Sequence, residues 1–278
     1  MRKSEAASDI SIGITALQHT AADPRGGPPG RPATLTSPYL SIVIPAYNEA
    51  ARLPPTLLRI RDHLASWDQP YEIVVVDDGS SDGTAEAARQ VGGPELAILR
   101  NERNRGKGYA VRRGMLEARG ERRLMTDADL STPIEELTRL MACMDEGYDI
   151  VIASRAMAGA RIEVHQPWYR EAMGRLFNLL VRVSTVPGLR DTQCGFKLFR
   201  ADAARECFAA AVLDGFSFDV EALFIARRRG RRVAEIPVTW RNDAATRVST
   251  LRGVLAFVDV FRIRMNGWRG RYALGPRS

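Results

Sequence analysis

This sequence of 278 residues has no long hydrophobic run. None of its segments approaches the roughly 18 consecutive apolar residues that suggest a membrane-spanning helix. The apolar stretch between residues 10 and 17 is interrupted by Ser11, Gly13 and Thr15, unlike the core of a signal peptide. If the protein works at a membrane, we expect it to lie on the surface of the bilayer.

Cysteine and histidine are also scarce, with three residues of each. Cys143, Cys194 and Cys207 form no C-x-x-C pair, so the sequence predicts neither a zinc site nor a disulfide framework. A reducing compartment is the expected environment. The three histidines stand apart from one another in the sequence and suggest no catalytic or metal-binding role.

The charge is unbalanced toward basic residues, with 40 Lys and Arg against 33 Asp and Glu and a net charge of +7. A basic surface suits anionic partners such as nucleic acids, nucleotide sugars, lipid phosphates or anionic membranes. The sequence shows no module of interleaved basic and aromatic residues for base stacking, so we do not expect nucleic acid as a partner. A non-catalytic nucleic-acid-binding protein is the alternative from a different functional class.

The chain divides into three parts by composition. Residues 1–38 include a stretch rich in proline and glycine, with too little apolar content to pack, and we predict a disordered leader. Residues 39–245 alternate buried apolar runs with amphipathic segments, which predicts an α/β domain with a mostly parallel sheet flanked by helices. Residues 246–278 form a basic amphipathic segment, predicted to be helical, that fits either a bilayer surface or packing on the preceding domain.

Three polar clusters follow predicted strands of this sheet. They are the segments Pro45–Glu49, Asp77–Asp82 and Asp127–Asp129. In an open sheet of parallel strands, ligands bind beyond the carboxyl ends of the strands. The sequence therefore predicts one ligand site to which all three clusters contribute.

The pair Asp127 and Asp129, separated by one alanine, follows a short apolar run. Two carboxylates at the end of a strand can share one hard cation, and oxygen ligands suit Mg²⁺ or Mn²⁺, which commonly bridge to substrate phosphates. The alternative is a polar turn in which Asp129 or Ser131 caps the helix predicted from Ile134. The pattern alone does not decide between them.

Gly106-Lys107-Gly108 begins another predicted helix. This G-x-G neither completes a dinucleotide-binding fingerprint nor precedes the Lys-Ser/Thr of a P-loop. The sequence therefore argues against a dehydrogenase and against a P-loop nucleotidase.

Several segments together resemble family 2 inverting glycosyltransferases of GT-A (Rossmann-like) fold: Ser41-Ile-Val-Ile-Pro-Ala-Tyr-Asn-Glu49, Val74-Val-Val-Asp-Asp-Gly-Ser-Ser-Asp-Gly-Thr84, Asn104-Arg-Gly-Lys-Gly108 and Asp127-Ala-Asp129. Within that family, Asp191-Thr-Gln-Cys-Gly-Phe-Lys-Leu-Phe199 and Phe218-Asp-Val-Glu221 are similar to dolichyl-phosphate β-glucosyltransferases and their prokaryotic polyprenyl-phosphate relatives. The resemblance spans about residues 39–240 and identifies 39–245 as the catalytic domain.

The resemblance implies roles for individual residues. It assigns the metal to Asp127 and Asp129, and catalysis to these two residues and Asp219. Ser131 stands where related mannosyltransferases often carry Gln, so water or diphosphate is expected to complete the metal's ligands. The nucleotide-sugar donor is assigned to Pro45, Tyr47, Glu49, Asp77, Asp78, Lys107 and Asp127, with a solvated surface lysine as the alternative for Lys107.

The acceptor implied by the resemblance is a polyprenyl monophosphate. This phosphate is already anionic, so strong base catalysis is not required, and the task is to hold two mutually repelling anions in line. Arginines do so with bidentate contacts. The resemblance assigns the acceptor to Arg155, Arg175, Gln193 and Lys197, and makes Asp191 and Glu221 further candidates for the sugar site. For Arg175 the alternative is a solvated helix charge.

The expected activity is a metal-dependent, inverting transfer of glucose from UDP-glucose to a dolichyl-type polyprenyl monophosphate. The expected location is peripheral, at the cytoplasmic, inner face of the membrane. The same fold could instead use GDP-mannose or another UDP-sugar, or a non-lipid acceptor. An inactive nucleotide-sugar-binding module is a further alternative, which the intact Asp127 and Asp129 disfavour.

Overall fold

The computed structural model describes residues 37–164, 168–241 and 250–273, without side-chain detail for 168–171 and 250–255. The leader predicted for residues 1–38 lies almost wholly outside the described residues. Nine strands are described: β1 (Leu40–Ala46), β2 (Tyr71–Asp77), β3 (Leu96–Arg100), β4 (Arg122–Met125), β5 (Ile150–Ser154), β6 (Arg161–Val164), β7 (Lys197–Arg200), β8 (Val233–Pro237) and β9 (Thr239–Arg241).

Seven of these strands form one sheet in the order β3-β2-β1-β4-β7-β5-β8. Only β7 among them runs antiparallel to its neighbours, β4 and β5. The prediction of a mostly parallel sheet is therefore confirmed. The chain builds outward from β1 through β2 to β3 and then returns to place β4 on the other side of β1, which creates a switch point between β1 and β4.

Eight α-helices are described: α1 (Leu53–Leu64), α2 (Thr84–Val91), α3 (Lys107–Glu117), α4 (Leu137–Asp145), α5 (Trp168–Ser184), α6 (Ala201–Ala210), α7 (Phe218–Arg228) and α8 (Thr250–Trp268). A single 3-10 turn, Ile134–Glu136, leads into α4, so the helix predicted from Ile134 begins with a tighter turn. No helix in these described ranges is both long enough and apolar enough to cross a membrane.

The central strands of the sheet are buried on both faces, as their continuous apolar runs predict. Alternate residues of β1 and β2 point to opposite sides: Val43 and Val74 pack with α3, α6 and α7, whereas Ile42 and Ile73 pack with α1 and α4. The central strands are thus packed on both faces, and the loops that carry the polar clusters begin at their buried carboxyl ends.

The structure differs from the sequence prediction near residue 237. The apolar segment 233–240 reads as one strand, but β8 ends at Pro237 and β9 pairs separately with β6. Proline has no N–H to donate to a ladder, which explains why the chain leaves the main sheet there. The short strand β6 is not predicted from the sequence, because its four residues include only two apolar side chains.

Candidate active site

Asp127 and Asp129 lie immediately beyond β4, next to the switch point. The pairing with β1 continues to Thr126, whose N–H donates to Val43 O over 3.0 Å. The chain then turns sharply, with Leu130 in a left-handed conformation (φ 45°) and its N–H donating to Asp127 O. A bulky residue at positive φ is strained, and such strain is concentrated at functional sites.

Asp129 also takes part in this turn. Its Oδ1 accepts the N–H of Ser131 at 2.9 Å. Asp129 therefore binds a backbone N–H, as the capping alternative predicts, but this N–H belongs to the turn that precedes the helix. Burial and the neighbouring Asp127 carboxylate raise the pKa of Asp129 above its usual value. A carboxylate whose ionisation is disfavoured by burial and by a neighbouring carboxylate is one that a bound cation would stabilise.

Lys107, the first residue of α3, reaches Asp127. Its Nζ lies 2.6 Å from Asp127 Oδ1. Burial lowers the pKa of Lys107, but Asp127 and Asp219 outweigh that effect and hold it above the usual lysine value. Lys107 is therefore partly buried and paired with Asp127, and its contact with the donor stays a prediction.

A second ammonium group, that of Lys197, is buried beneath this cluster. Lys197 Nζ donates to Asp219 and to Cys194 O, each at 2.5 Å, and the side chains of Lys197 and Asp219 are 2% and 7% exposed. Burial raises the pKa of Asp219, against the opposing effect of Lys197 and Lys107. The structure thus gives Lys197 an interior contact with Asp219, and the acceptor contact assigned to it stays a prediction.

Asp78 fixes the loop that carries Lys107. Its carboxylate accepts the side-chain amide of Asn101 at 2.7 Å and the backbone N–H groups of Arg105 and Gly106, the latter at 2.8 Å. Gly106 has φ 103°, a conformation that side-chain-bearing residues rarely adopt. Asp78 therefore holds the loop before α3 through the backbone, and its donor role, including a contact with the uracil, stays a prediction.

The neighbouring Asp77 is fully buried at the end of β2. Its Oδ1 accepts the N–H of Ser80 at 2.9 Å, and its Oδ2 lies 3.4 Å from Arg100 Nε. These contacts make the segment after β2 a tight turn. The donor role assigned to Asp77 is not tested by this geometry.

The loop after β1 supplies the third cluster. Pro45 is buried within β1 opposite Val76, and Tyr47 is 47% exposed. Glu49 forms a double contact with Arg52, with both nitrogen–oxygen distances 2.6 Å. A ribose hydroxyl that donates a hydrogen bond to Glu49 would therefore bind a carboxylate that is already paired with Arg52.

The acceptor candidates Arg155 and Gln193 meet at Asp191. Arg155 Nε and Nη2 donate to the two oxygens of Asp191 at 2.7 and 2.9 Å, and the N–H of Gln193 donates to Asp191 Oδ1 at 3.2 Å. Burial alone would raise the pKa of Asp191, but the Arg155 guanidinium holds it below its usual value. Arg155 also lies 5.3 Å from the ring centroid of Trp240.

Arg175 lies on α5, where its side chain is exposed. The same helix exposes Leu176, Leu179 and Val183, the last with 79% of its surface accessible. Arg175 thus borders an apolar surface, and the structure does not decide between its two predicted roles.

Glu221 has a different environment from the sugar site predicted for it. It is 0% exposed, and its oxygens accept the N–H groups of Val212 and Leu213 and the hydroxyl of Tyr272. Three donors and complete burial give Glu221 a structural role. Sequence reasoning could not find this network, because Tyr272 is distant in the chain and carries no motif.

Sequence reasoning also missed Gly195. A Cβ atom at this position would overlap the carboxylate of Asp127, so only glycine allows this approach. The sequence feature that could have indicated this contact is the position of Gly195, which directly follows Asp191-Thr-Gln-Cys194 and is the one residue of that segment without a side chain.

The residues present suit a divalent metal ion. Asp127 and Asp129 offer hard oxygen ligands beside a small pocket lined by Thr126, Asp127, Ser131, Thr132, Gly195 and Trp240. Across residues 37–164, 168–241 and 250–273, no three His, Cys, Asp or Glu side chains converge as a complete metal site. This composition fits an ion that takes two ligands from the protein and the rest from phosphate and water.

Comparison with known proteins shows which proteins this chain is similar to. The family model described as glycosyl transferase family 2 matches residues 41–208. A dolichyl-phosphate beta-glucosyltransferase of Trichomonas vaginalis is 36% identical over 252 residues, covering 83% of this chain and 75% of the relative. That of Mus musculus is 36% identical over 216 residues (72% and 67%), and that of Saccharomyces cerevisiae is 31% identical over 258 residues (84% and 76%).

Solved structures share the fold at lower identity. Mannosyl-3-phosphoglycerate synthase from Rubrobacter xylanophilus superimposes with a TM-score of 0.62 at 20% identity, covering 87% of this chain and 77% of that one. Glucosyl-3-phosphoglycerate synthase from Mycobacterium tuberculosis, in complex with Mn²⁺ and UDP-glucose, gives 0.59 at 18% identity, covering 86% and 80%. These similarities confirm the predicted GT-A type of α/β fold.

Proposed function

This chain belongs to glycosyl transferase family 2 and is a glycosyltransferase, and from that premise we propose that it transfers glucose from UDP-glucose to a dolichyl-type polyprenyl monophosphate. The observation that carries the proposal is the position of Asp127 between Lys107 and Gly195 at the end of β4. This arrangement presents a carboxylate and an ammonium group side by side, which suits a metal-bound diphosphate. The choice of glucose and of a lipid phosphate rests on the relatives.

The donor binds, in this proposal, across the carboxyl ends of β1, β2 and β4. Pro45, Tyr47 and Glu49 border the nucleotide, and Asp77 and Asp78 contribute at the uracil side. Asp127 and Asp129 hold Mg²⁺ or Mn²⁺, which, when bound, offsets the charge that develops on the departing UDP. The Mn²⁺ and UDP-glucose complex of the mycobacterial neighbour supports this choice of donor and metal.

Lys107, which is paired with Asp127, also offsets charge on the departing UDP in this proposal. Its ammonium group is kept charged by the surrounding carboxylates and can donate to a phosphate oxygen of the leaving group. Asp219, held by Lys197, interacts with Lys107 and, like Asp127, favours its protonated state. These contacts prepare a charged donor site before the substrate arrives.

The acceptor phosphate is placed by Arg155 in this proposal. Within the described residues, Nε and Nη2 of Arg155 donate hydrogen bonds to Asp191. In this proposal Nη1 of Arg155 donates to a phosphate oxygen of the acceptor. Arg175, Gln193 and Lys197 stay as further acceptor candidates. The phosphate oxygen attacks the anomeric carbon opposite UDP, so the bond to UDP breaks as the new bond forms and the product is β-linked.

Two helices offer a surface for the membrane. On α5, Leu176 and Leu179 are each 55% exposed, and on α8, Phe261 and Trp268 are 64% and 77% exposed. Arg262 is also exposed on α8. Apolar side chains flanked by arginines suit the boundary between acyl chains and anionic head groups. We therefore include a peripheral position at the cytoplasmic face in the proposal.

The proposal is tested by transfer of radiolabelled sugar to organic-extractable lipid, with polyprenyl monophosphate and a panel of UDP- and GDP-sugars. We expect label in the lipid from UDP-glucose, with a requirement for Mg²⁺ or Mn²⁺, and none with Asp129→Asn. Label from GDP-mannose alone would overturn the donor, and label only in water-soluble products would overturn the lipid acceptor. Salt-dependent DNA or RNA binding without any turnover would favour the nucleic-acid-binding alternative.

A further inference from the structure

The residues after α8 return to the interior of the protein. Gly270 has φ 71°, which reverses the chain after Trp268 and brings Tyr272 back against α7. The Tyr272 side chain is 5% exposed, its ring stands edge-on to Phe224, and its hydroxyl donates to Glu221 Oε1 at 2.7 Å. The C-terminal segment is therefore tied to the first turn of α7 by a buried hydrogen bond.

The other oxygen of Glu221 holds the loop between α6 and α7. Oε2 accepts the N–H groups of Val212 at 3.0 Å and Leu213 at 2.8 Å. A carboxylate that accepts two backbone donors fixes their orientation, and its own direction is set here by Tyr272. The two oxygens of Glu221 thus link the loop to a residue near the end of the described chain.

The same loop supports the beginning of α3. Asp214 O accepts the N–H groups of Gly108 at 2.9 Å and Tyr109 at 3.3 Å. A Cβ atom at Gly108 would lie 2.6 Å from Leu213 O, so the two backbones are in close contact. Arg112 of α3 adds an ion pair to Asp214 at 2.6 Å. Any displacement of this loop is therefore transmitted to the backbone on either side of Lys107.

We propose that Tyr272 is a positioning residue for the donor site, acting through Glu221 and the loop 212–214 on the backbone that carries Lys107. The proposal deepens the donor-binding function given above and rests on it for its ligand. Glu221 contributes hydrogen-bond geometry to this chain of contacts and takes no part in proton transfer. The C-terminal segment thereby determines the position of the Lys107 backbone, and so the distance between the Lys107 ammonium group and the diphosphate.

The structural link is tested without any ligand by hydrogen exchange. Tyr272→Phe removes one hydroxyl and keeps the ring against Phe224. We expect faster exchange of the Gly108 and Tyr109 amides in this variant, by about fivefold, the factor that corresponds to one hydrogen bond. The control is Ile60→Val, which removes one methylene from the core on the opposite face of the sheet. Unchanged exchange in Tyr272→Phe, or an equal increase in the control, would overturn the proposal.

The functional consequence is tested by calorimetric binding of UDP in the presence of Mn²⁺. We expect the dissociation constant to rise about fivefold in Tyr272→Phe. It should show no further rise when the same change is made in Lys107→Met, because the effect passes through Lys107. Glu221→Gln keeps an oxygen for both loop N–H groups and should retain most of the affinity.

A fivefold loss that persists in the Lys107→Met background would contradict a role through Lys107. If the wild-type protein bound no UDP, the proposed function would fail, while the exchange measurement would still decide the link from Tyr272 to Gly108.

Discussion

Gly195 lies directly against the side chain of Asp127, so that a Cβ atom added to the glycine would be 2.5 Å from Asp127 Cγ. This contact joins the segment before β7 to the segment after β4. Because β7 is antiparallel to β4, its beginning lies beside the end of β4, where the acidic pair stands. The antiparallel direction of β7 therefore places Gly195, which has no side chain, against the Asp127 carboxylate.

Gly195→Ala should abolish most activity without changing a single proposed ligand. Its Cβ would displace the Asp127 carboxylate, and a misplacement of about 1 Å near a reacting centre can cost about 100-fold in rate. The measurement is kcat/KM with UDP-glucose. Gly174→Ala is the matched control, since a Cβ there would meet no atom within 4 Å. Equal values of kcat/KM for the two variants would show that the contact between Gly195 and Asp127 does not matter for activity.

Lys197→Met should destabilise the protein strongly. The substitution leaves the buried Asp219 carboxylate without its ammonium partner, and removing one partner of a buried ion pair costs about 3–5 kcal/mol. Adding Asp219→Asn to Lys197→Met should recover part of that loss, because no buried charge then remains unpaired. Urea unfolding of the two single variants and the double variant measures this coupling. Additive losses would mean that the two residues do not interact energetically.

The stability of the wild-type protein should depend on the ionisation of Glu221. Burial raises the pKa of this carboxyl, although the N–H groups of Leu213 and Val212, the Tyr272 hydroxyl and the charge of Arg112 oppose the rise. A raised pKa contributes stability at low pH that is lost as the pH increases through the folded-state value. Glu221→Gln cannot ionise and escapes this loss.

The melting temperature of Glu221→Gln should therefore improve relative to wild type as the pH rises from acidic to neutral, and then stay level. Circular dichroism melts of both proteins across this range measure the difference. A difference that is constant, or that changes in the opposite direction, would show that Glu221 is not the group responsible.

The apolar outer surface of α8 should bind lipid. Replacing Phe261 and Trp268 by serine should weaken co-sedimentation with vesicles containing anionic lipid by about tenfold, given the transfer free energy of such side chains. The control replaces Leu58 and Leu116, which are 44% and 39% exposed on other helices, by serine. If both double variants lost binding equally, the effect would reflect general hydrophobicity and not this surface.

Local sequence patterns were sufficient to predict the sheet and the edge that carries the site. Buried parallel strands are continuous apolar runs, and the polar segments that follow β1, β2 and β4 mark their carboxyl ends. The order of strands brings these three segments together, since β1 lies between β2 and β4. The same local patterns mark the acidic pair as a candidate metal site, whereas the resemblance to the glycosyltransferase family was needed to assign a role to Lys107.

The contacts between distant segments could not be predicted in this way. Lys197 with Asp219, Gly195 with Asp127 and Tyr272 with Glu221 are tertiary pairs, and no local pattern encodes them. Burial of Glu221 in particular depends on how the end of the chain packs. The motif therefore gave no sign that Glu221 is buried and bound to Tyr272.

Helical periodicity also left one question open. It predicts an amphipathic helix in residues 246–278 without deciding whether its apolar side faces a bilayer or the preceding domain, and the structure exposes Val258, Phe261 and Trp268 of α8. The buried side of the helix is formed by smaller or branched residues, Ala256, Val260 and Ile263. Periodicity separates the faces of a helix, whereas the shape of the neighbouring surface decides which face packs.

The most direct test of the account is calorimetric binding of UDP to wild type and to Asp129→Asn, each with and without Mn²⁺. The two carboxylates should hold the metal that holds the diphosphate. Wild type should therefore bind UDP tightly only with Mn²⁺, and Asp129→Asn should lose the Mn²⁺-dependent part of the affinity while melting as a folded protein. Equal, Mn²⁺-enhanced binding by both proteins would contradict the central role of the acidic pair.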